Sequence, residues 1–108
     1  SGGNDEFVVG HQQRFRSLMV DAMLTASQLF AEMGNLSNAV WFARKAYDSD
    51  RSREDVYRAL MDAQMKSGQR TSALKTYFAC KKYLTEELGI LPSQSTTALF
   101  QTLIQDKD

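Results

Sequence analysis

Apolar positions recur at spacings of three and four along most of the chain, and strand-like alternation is hard to find. From about Gln12 to Met33, the residues Phe15, Leu18, Met19, Ala22, Met23, Ala26, Leu29, Phe30 and Met33 trace one helical stripe, the pattern of a helix that buries one face. A second helix is predicted from about Ser37 to Tyr47, with Ala39, Val40, Ala43 and Ala46 inside. Asp48 to Ser52 is polar and reads as a connection, and Ser52 precedes Asp55 by three, a capping-box-like start. The third helix then carries Val56, Tyr57, Leu60, Met61, Ala63 and Gln64 and stops at Gly68. A fourth runs from about Thr71 to Leu88 with Ala73, Leu74, Tyr77, Cys80, Tyr83 and Leu84. Leu91 is forced toward extended backbone by Pro92. Ser93 can cap a fifth helix that ends near Ile104, with Ala98, Leu99, Leu103 and Ile104 on one face. Gly34, Gly68 and Gly89 each follow an amphipathic stretch, where a left-handed residue commonly closes a helix. Residues 105–108 are expected to fray.

The chain also repeats itself. Gly34 and Gly68 are 34 residues apart, as are Ala39 and Ala73, and Ala46 and Cys80. Two helices per 34-residue unit is the tetratricopeptide period, and the sequence resembles that family at its structural positions. Gly34 and Gly68 fall at the turn between paired helices. Ala39 and Ala73 fall where the pair approaches most closely, with Ala46 and Cys80 the next small positions along. Tyr57, Leu60 and Tyr77 match large positions that fill the space between helices. The first unit departs at Met23, Ala26 and Ala43, where larger residues are usual. Arg51 and Thr85 stand where each unit usually has a closing proline. The expected fold is all-α: a tetratricopeptide-like array of antiparallel helix hairpins, two pairs with the fifth helix as a C-terminal cap, because one pair cannot bury its apolar face alone.

A more specific resemblance lies between Asp50 and Leu103. Arg53-Glu54 open a helix with Tyr57, Leu60 and Met61, followed by Gly68-Gln69-Arg70, Ala73-Leu74 and Tyr77. The segment Leu84-Thr85-Glu86-Glu87-Leu88-Gly89-Ile90-Leu91-Pro92-Ser93 then follows, with Leu99-Phe100 near the end. These residues resemble the bacterial transcriptional activator domain, over roughly residues 6–104. The resemblance implies a regulatory module that follows a winged-helix DNA-binding domain in activators of the antibiotic-regulatory-protein type. Its implied work is protein–protein contact, with its own DNA-binding domain, the transcription machinery or a second copy, including a possible homodimer. A generic cytosolic tetratricopeptide adaptor and a small-molecule sensor, for example of nucleotides, are the alternatives. No winged helix precedes Arg14, so the chain is not expected to recognise DNA by itself. Residues 1–3, Ser-Gly-Gly, look like a cloning scar.

Composition supports that picture. The chain has 108 residues, 43% apolar and 24% charged, with thirteen basic and thirteen acidic side chains. Such balance suits one globular domain and argues against broad phosphate-backbone binding. The single cysteine, Cys80, allows no internal disulfide and suits a reduced, cytoplasmic setting. No apolar run is long enough to span a bilayer, and no signal peptide is visible.

Candidate chemistry is sparse. His11 has no second histidine and no nearby cysteine, so no metal is expected. Glu86 and Glu87 are neighbours about 100° apart on a helix and cannot share one bond as acid and base. Cys80 at a small repeat position reads as core. No phosphate loop, nucleophile set or cofactor motif is present, and no catalytic residue is assigned. The tetratricopeptide resemblance instead implies a concave partner groove lined by Asp21, Leu24, Gln28, Glu32, Asp55, Arg58, Asp62, Met65 and Lys66. Against it stands the plainer reading of a solvated helix face. Trp41 and Phe78 fall outside the apolar stripes and could lie near each other as a convex interface.

Overall fold

In the computed structural model, the described backbone covers residues 2–105 and the described side chains residues 5–105. Ser1 and residues 106–108, part of the expected scar and frayed tail, lie outside them. Five α-helices follow one another: α1 (Gly2–Glu32), α2 (Leu36–Ser49), α3 (Glu54–Lys66), α4 (Arg70–Tyr83) and α5 (Gln94–Gln105). No strand occurs among the described residues. α1 and α2 form one antiparallel hairpin, α3 and α4 a second stacked beside it, and α5 packs on α3 and α4. This is the tetratricopeptide-like array.

The two hairpin corners are built alike. Gly34 and Gly68 have φ of 78° and 76°. Their N–H groups reach back three residues, to Ala31 and Met65, both at 3.0 Å. The following N–H groups, of Asn35 and Gln69, reach back five, to Phe30 and Gln64, both at 2.8 Å. This pair of bonds is the Schellman closure, which satisfies the last carbonyls of a helix and needs left-handed backbone at the glycine. A methyl group on either glycine would meet open space, so the requirement is conformational rather than steric.

Small side chains sit at the crossings. Ala39, Ala43, Ala46, Ala73 and Cys80 are fully buried. One cluster gathers Val20, Ala46, Val56, Tyr57, Cys80 and Leu84, and another Ala39, Ala43, Leu60 and Ala63. The second corner replaces an aromatic contact with a polar one. Phe30 stacks on Phe42 at 5.4 Å in the first hairpin. The positions 34 residues later are Gln64 and Thr76, where the Thr76 hydroxyl donates to Gln64 Oε1 at 2.8 Å, deep inside.

Several expectations are corrected. α1 starts at Gly2, ten residues before Gln12, and runs on through Gly3 and Gly10, with no proline there to break it. Its length of 31 residues, about 46 Å, far exceeds the 14 residues and about 21 Å of α2, so its N-terminal half projects beyond the hairpin. The stripe read as buried is largely outward: Phe15, Leu18, Met19, Leu29 and Met33 are exposed. The buried face carries Val20 and Ser27, with Met23, Leu24, Phe30 and Ala31 partly covered. Ser27 can be buried because its hydroxyl donates to the Ala39 carbonyl at 2.7 Å.

Ser52 does not cap α3. Its amide and hydroxyl both bond Asp50, so Arg53 becomes the N-cap without a side-chain cap bond. Those donors hold the Asp50 carboxyl below its usual range. On α5 the inward face is Thr96, Leu99, Phe100 and Leu103, while Ala98 and Ile104 are exposed, a rotation set by stacking of Phe100 on Tyr77 at 3.9 Å. Gln105 remains helical. The stretch after α4 continues as a π-helical turn, Leu84–Leu88, closed by Gly89 in left-handed backbone, and the Ile90 N–H reaches back six residues to the Leu84 carbonyl.

Candidate protein-interaction groove

α1 and α3 lie side by side on the concave face, and α5 closes one end of the trough between them. The trough is a cavity of about 430 Å³. Leu24, Gln28 and Glu32 line it from α1, and Asp55, Arg58, Asp62 and Lys66 from α3. Ser27, Ala31, Ala59 and Ala63 form a small-residue floor, with Ser95 and Leu99 at the α5 end. These positions recur every three or four residues along each helix, which is why they share one face.

Two residues of the expected set stand apart from this cavity. Asp21 is held outside it by Arg53, whose guanidinium donates to Asp21 at 2.7 Å and to Asp55 at 2.8 Å. Both carboxylates stabilise the charged guanidinium and push its pKa up, Asp55 first and Asp21 second. Met65 is half-buried and does not line the trough.

Charge in the trough is mostly spoken for. Lys66 pairs with Asp62 at 2.8 Å, and Arg58 approaches Glu54 at 3.5 Å. Glu32 has only a long contact from Gln28, at 3.5 Å. Arg53 neutralises one of the two carboxylates it joins. Three carboxylates line the trough (Glu32, Asp55, Asp62) against two cations (Arg58, Lys66), and the trough keeps a negative balance.

Sequence reasoning missed the α5 contribution and its anchor. Glu54 Oε2 accepts from the Ser93 N–H at 2.9 Å and the Ser93 hydroxyl at 2.7 Å, and also from the Thr96 hydroxyl. Burial raises the Glu54 pKa, but the bonds from Thr96 and Ser93 outweigh it and the carboxyl stays below its ordinary value. Nothing in the spacing of Glu54 and Ser93, 39 residues apart, signals that contact.

Trp41 and Phe78 are both about half exposed, in separate aromatic groups. Trp41 meets Phe42 edge-on at 4.8 Å, with the Lys45 ammonium 5.0 Å from its ring. Phe78 meets Tyr77 at 5.2 Å and Phe100 at 5.9 Å. A larger, open hollow of about 720 Å³ lies on the outer side of α1, between His11 and Ser49. Cys80 is buried, and burial pushes its thiol up to about 11. Among the described residues no group of three or more His, Cys, Asp or Glu side chains could hold a metal ion, and no helix is long and apolar enough to cross a membrane.

The family profile described as bacterial transcriptional activator domain matches residues 1–104. No match was found among curated proteins, and none among solved structures.

Proposed function

The chain belongs to the bacterial transcriptional activator domain family, and from that premise we propose that it is the protein-interaction module of a transcription activator, working through the trough between α1 and α3. The observation that carries this reading is the trough itself: an apolar floor of small residues, two leucines, and rims whose carboxylates outnumber their cations. Such a surface suits a partner segment that lays down small apolar side chains and offers Lys or Arg to Glu32 and Asp55. Regulation rather than catalysis is its role, in the cytoplasm, where the target promoter lies. DNA contact belongs to another part of the full-length protein.

The test uses the full-length activator with a cation placed at both exposed rim positions, Gln28→Arg and Glu32→Arg. Neither side chain is in the core, so the fold is retained. Promoter output should fall at least about tenfold, while promoter occupancy stays at the wild-type level; a tenfold change corresponds to about 1.4 kcal/mol of lost contact. Unchanged output would overturn the trough as the working surface.

A further inference from the structure

We propose that the hollow between α2 and α4 binds a dianionic phosphate group, either as the free ion or as the monoester of a small metabolite. It shares no lining residue with the trough.

The internal repeat singles the place out. In the first unit the helices meet there through Phe30 stacked on Phe42. One repeat later, Gln64 and Thr76 occupy the same two positions, and Gln64 is only 1% exposed. An apolar pair would serve packing better, because a buried amide costs free energy unless its polar atoms find partners. Half of this amide is satisfied within the fold: the Thr76 hydroxyl donates to Oε1 at 2.8 Å. Nε2 has no acceptor among the described residues, yet no fully buried side-chain nitrogen or oxygen there lacks a partner. The nitrogen is therefore the part of Gln64 that reaches the hollow, and it brings two N–H donors with no acceptor of their own.

The walls complete the donor set. Arg44 and Tyr47 come from α2, and Ser72, Lys75 and Thr76 from α4. Spacings of three and four put each group on one face of its helix. Neither Arg44 nor Lys75 forms an ion pair among the described residues, whereas Arg58 and Lys66 of the trough both do. No carboxylate lines the hollow, in a chain whose thirteen basic and thirteen acidic side chains cancel. Two uncompensated cations match the two charges of a phosphate monoester, and the hydroxyl and amide donors suit its terminal oxygens. A carboxylate, with one charge, would leave one cation unmatched. The hollow measures about 320 Å³, near the lower end for ligand pockets, so it takes a phosphate with a short body rather than a dinucleotide.

An NMR titration of the isotope-labelled chain tests this. The probes are inorganic phosphate and glycerol 3-phosphate, with sodium acetate as the singly charged control. At least one phosphate probe should bind with a dissociation constant of about 1 mM or tighter and move the side-chain amide signal of Gln64. The tighter of the two tells whether the natural form is the free ion or an ester. Acetate should bind at least about tenfold more weakly. Arg44→Gln and Lys75→Gln, both at exposed positions, should each weaken phosphate binding at least about tenfold, the loss of one charge-assisted contact. Lys45→Gln, on α2 outside the hollow, should leave it at wild-type strength. The double substitution Gln64→Leu, Thr76→Val returns an apolar pair to this position; it should melt no lower than wild type in phosphate-free buffer and should not bind. A Gln64 signal unmoved by either phosphate probe at about ten times that concentration would overturn the site. So would affinity indifferent to both Arg44→Gln and Lys75→Gln, or acetate binding as tightly as phosphate. The substitutions at Gln28 and Glu32 read promoter output, so trough and hollow fail separately.

Discussion

Glu54 opens α3 and holds Ser93, 39 residues later, through both the amide at 2.9 Å and the hydroxyl at 2.7 Å. One carboxylate thereby anchors the start of α5 and, with Thr96, places Leu99 at the end of the trough. Because the carboxyl is held below its ordinary value, it stabilises the fold fully above the ordinary glutamate range, near about 4.3. That contribution is lost as pH falls through the folded-state value. Urea unfolding between neutral and acid pH should show wild type losing stability on the acid side. Glu54→Gln should be weaker by about 1–3 kcal/mol at neutral pH and flatter toward acid. Parallel curves for the two proteins would contradict the anchor.

The corner glycines give a cleaner test. Gly68→Ala should cost about 1–2 kcal/mol, the penalty of an L side chain in left-handed backbone. Since the added methyl meets open space, D-alanine at the same position should recover stability to wild type or above. Chemical synthesis and thermal melts would measure both. Loss of stability with D-alanine would show a steric cause instead.

Ala73 is fully buried where α4 crosses its neighbour. Ala73→Leu should separate the second hairpin and cost about 1–3 kcal/mol by overpacking. Ala39→Leu should do the same in the first, because both residues sit five positions after a corner glycine. A melting temperature unchanged by either substitution would refute close approach at that crossing.

Cys80 should behave as a core residue. With its thiol pushed up to about 11 by burial, thiolate is scarce near neutral pH. Modification by a disulfide reagent should be slow in the native chain and rapid in denaturant, at a rate limited by opening. Rapid labelling of native protein would contradict the packing around Val56 and Leu84.

The glycine period and the small residues at positions 39, 46, 73 and 80 made the paired helices legible, since each reports a backbone constraint that only a few residue types satisfy. Seven of the nine residues expected in the groove line one cavity for the same reason: positions on one helix face follow from spacing alone. Which face of α1 turns inward was not legible. Spacing shows that a stripe exists but not that it is covered, and the covered face includes Ser27, whose hydroxyl is satisfied by a carbonyl of α2. The anchor of α5 was hidden because it joins Glu54 to residues far along the chain. Arg53 likewise gave no local sign that it would hold Asp21 and Asp55 together.

The matching closures at Gly34 and Gly68 make the helical unit interchangeable. A duplicated stretch of the gene, inserted in register after Gln69, would meet the same left-handed corner and the same small-residue seat that its parent occupied. Lengthening such a protein needs copying rather than invention, and each added unit would extend the trough by one more pair of rims.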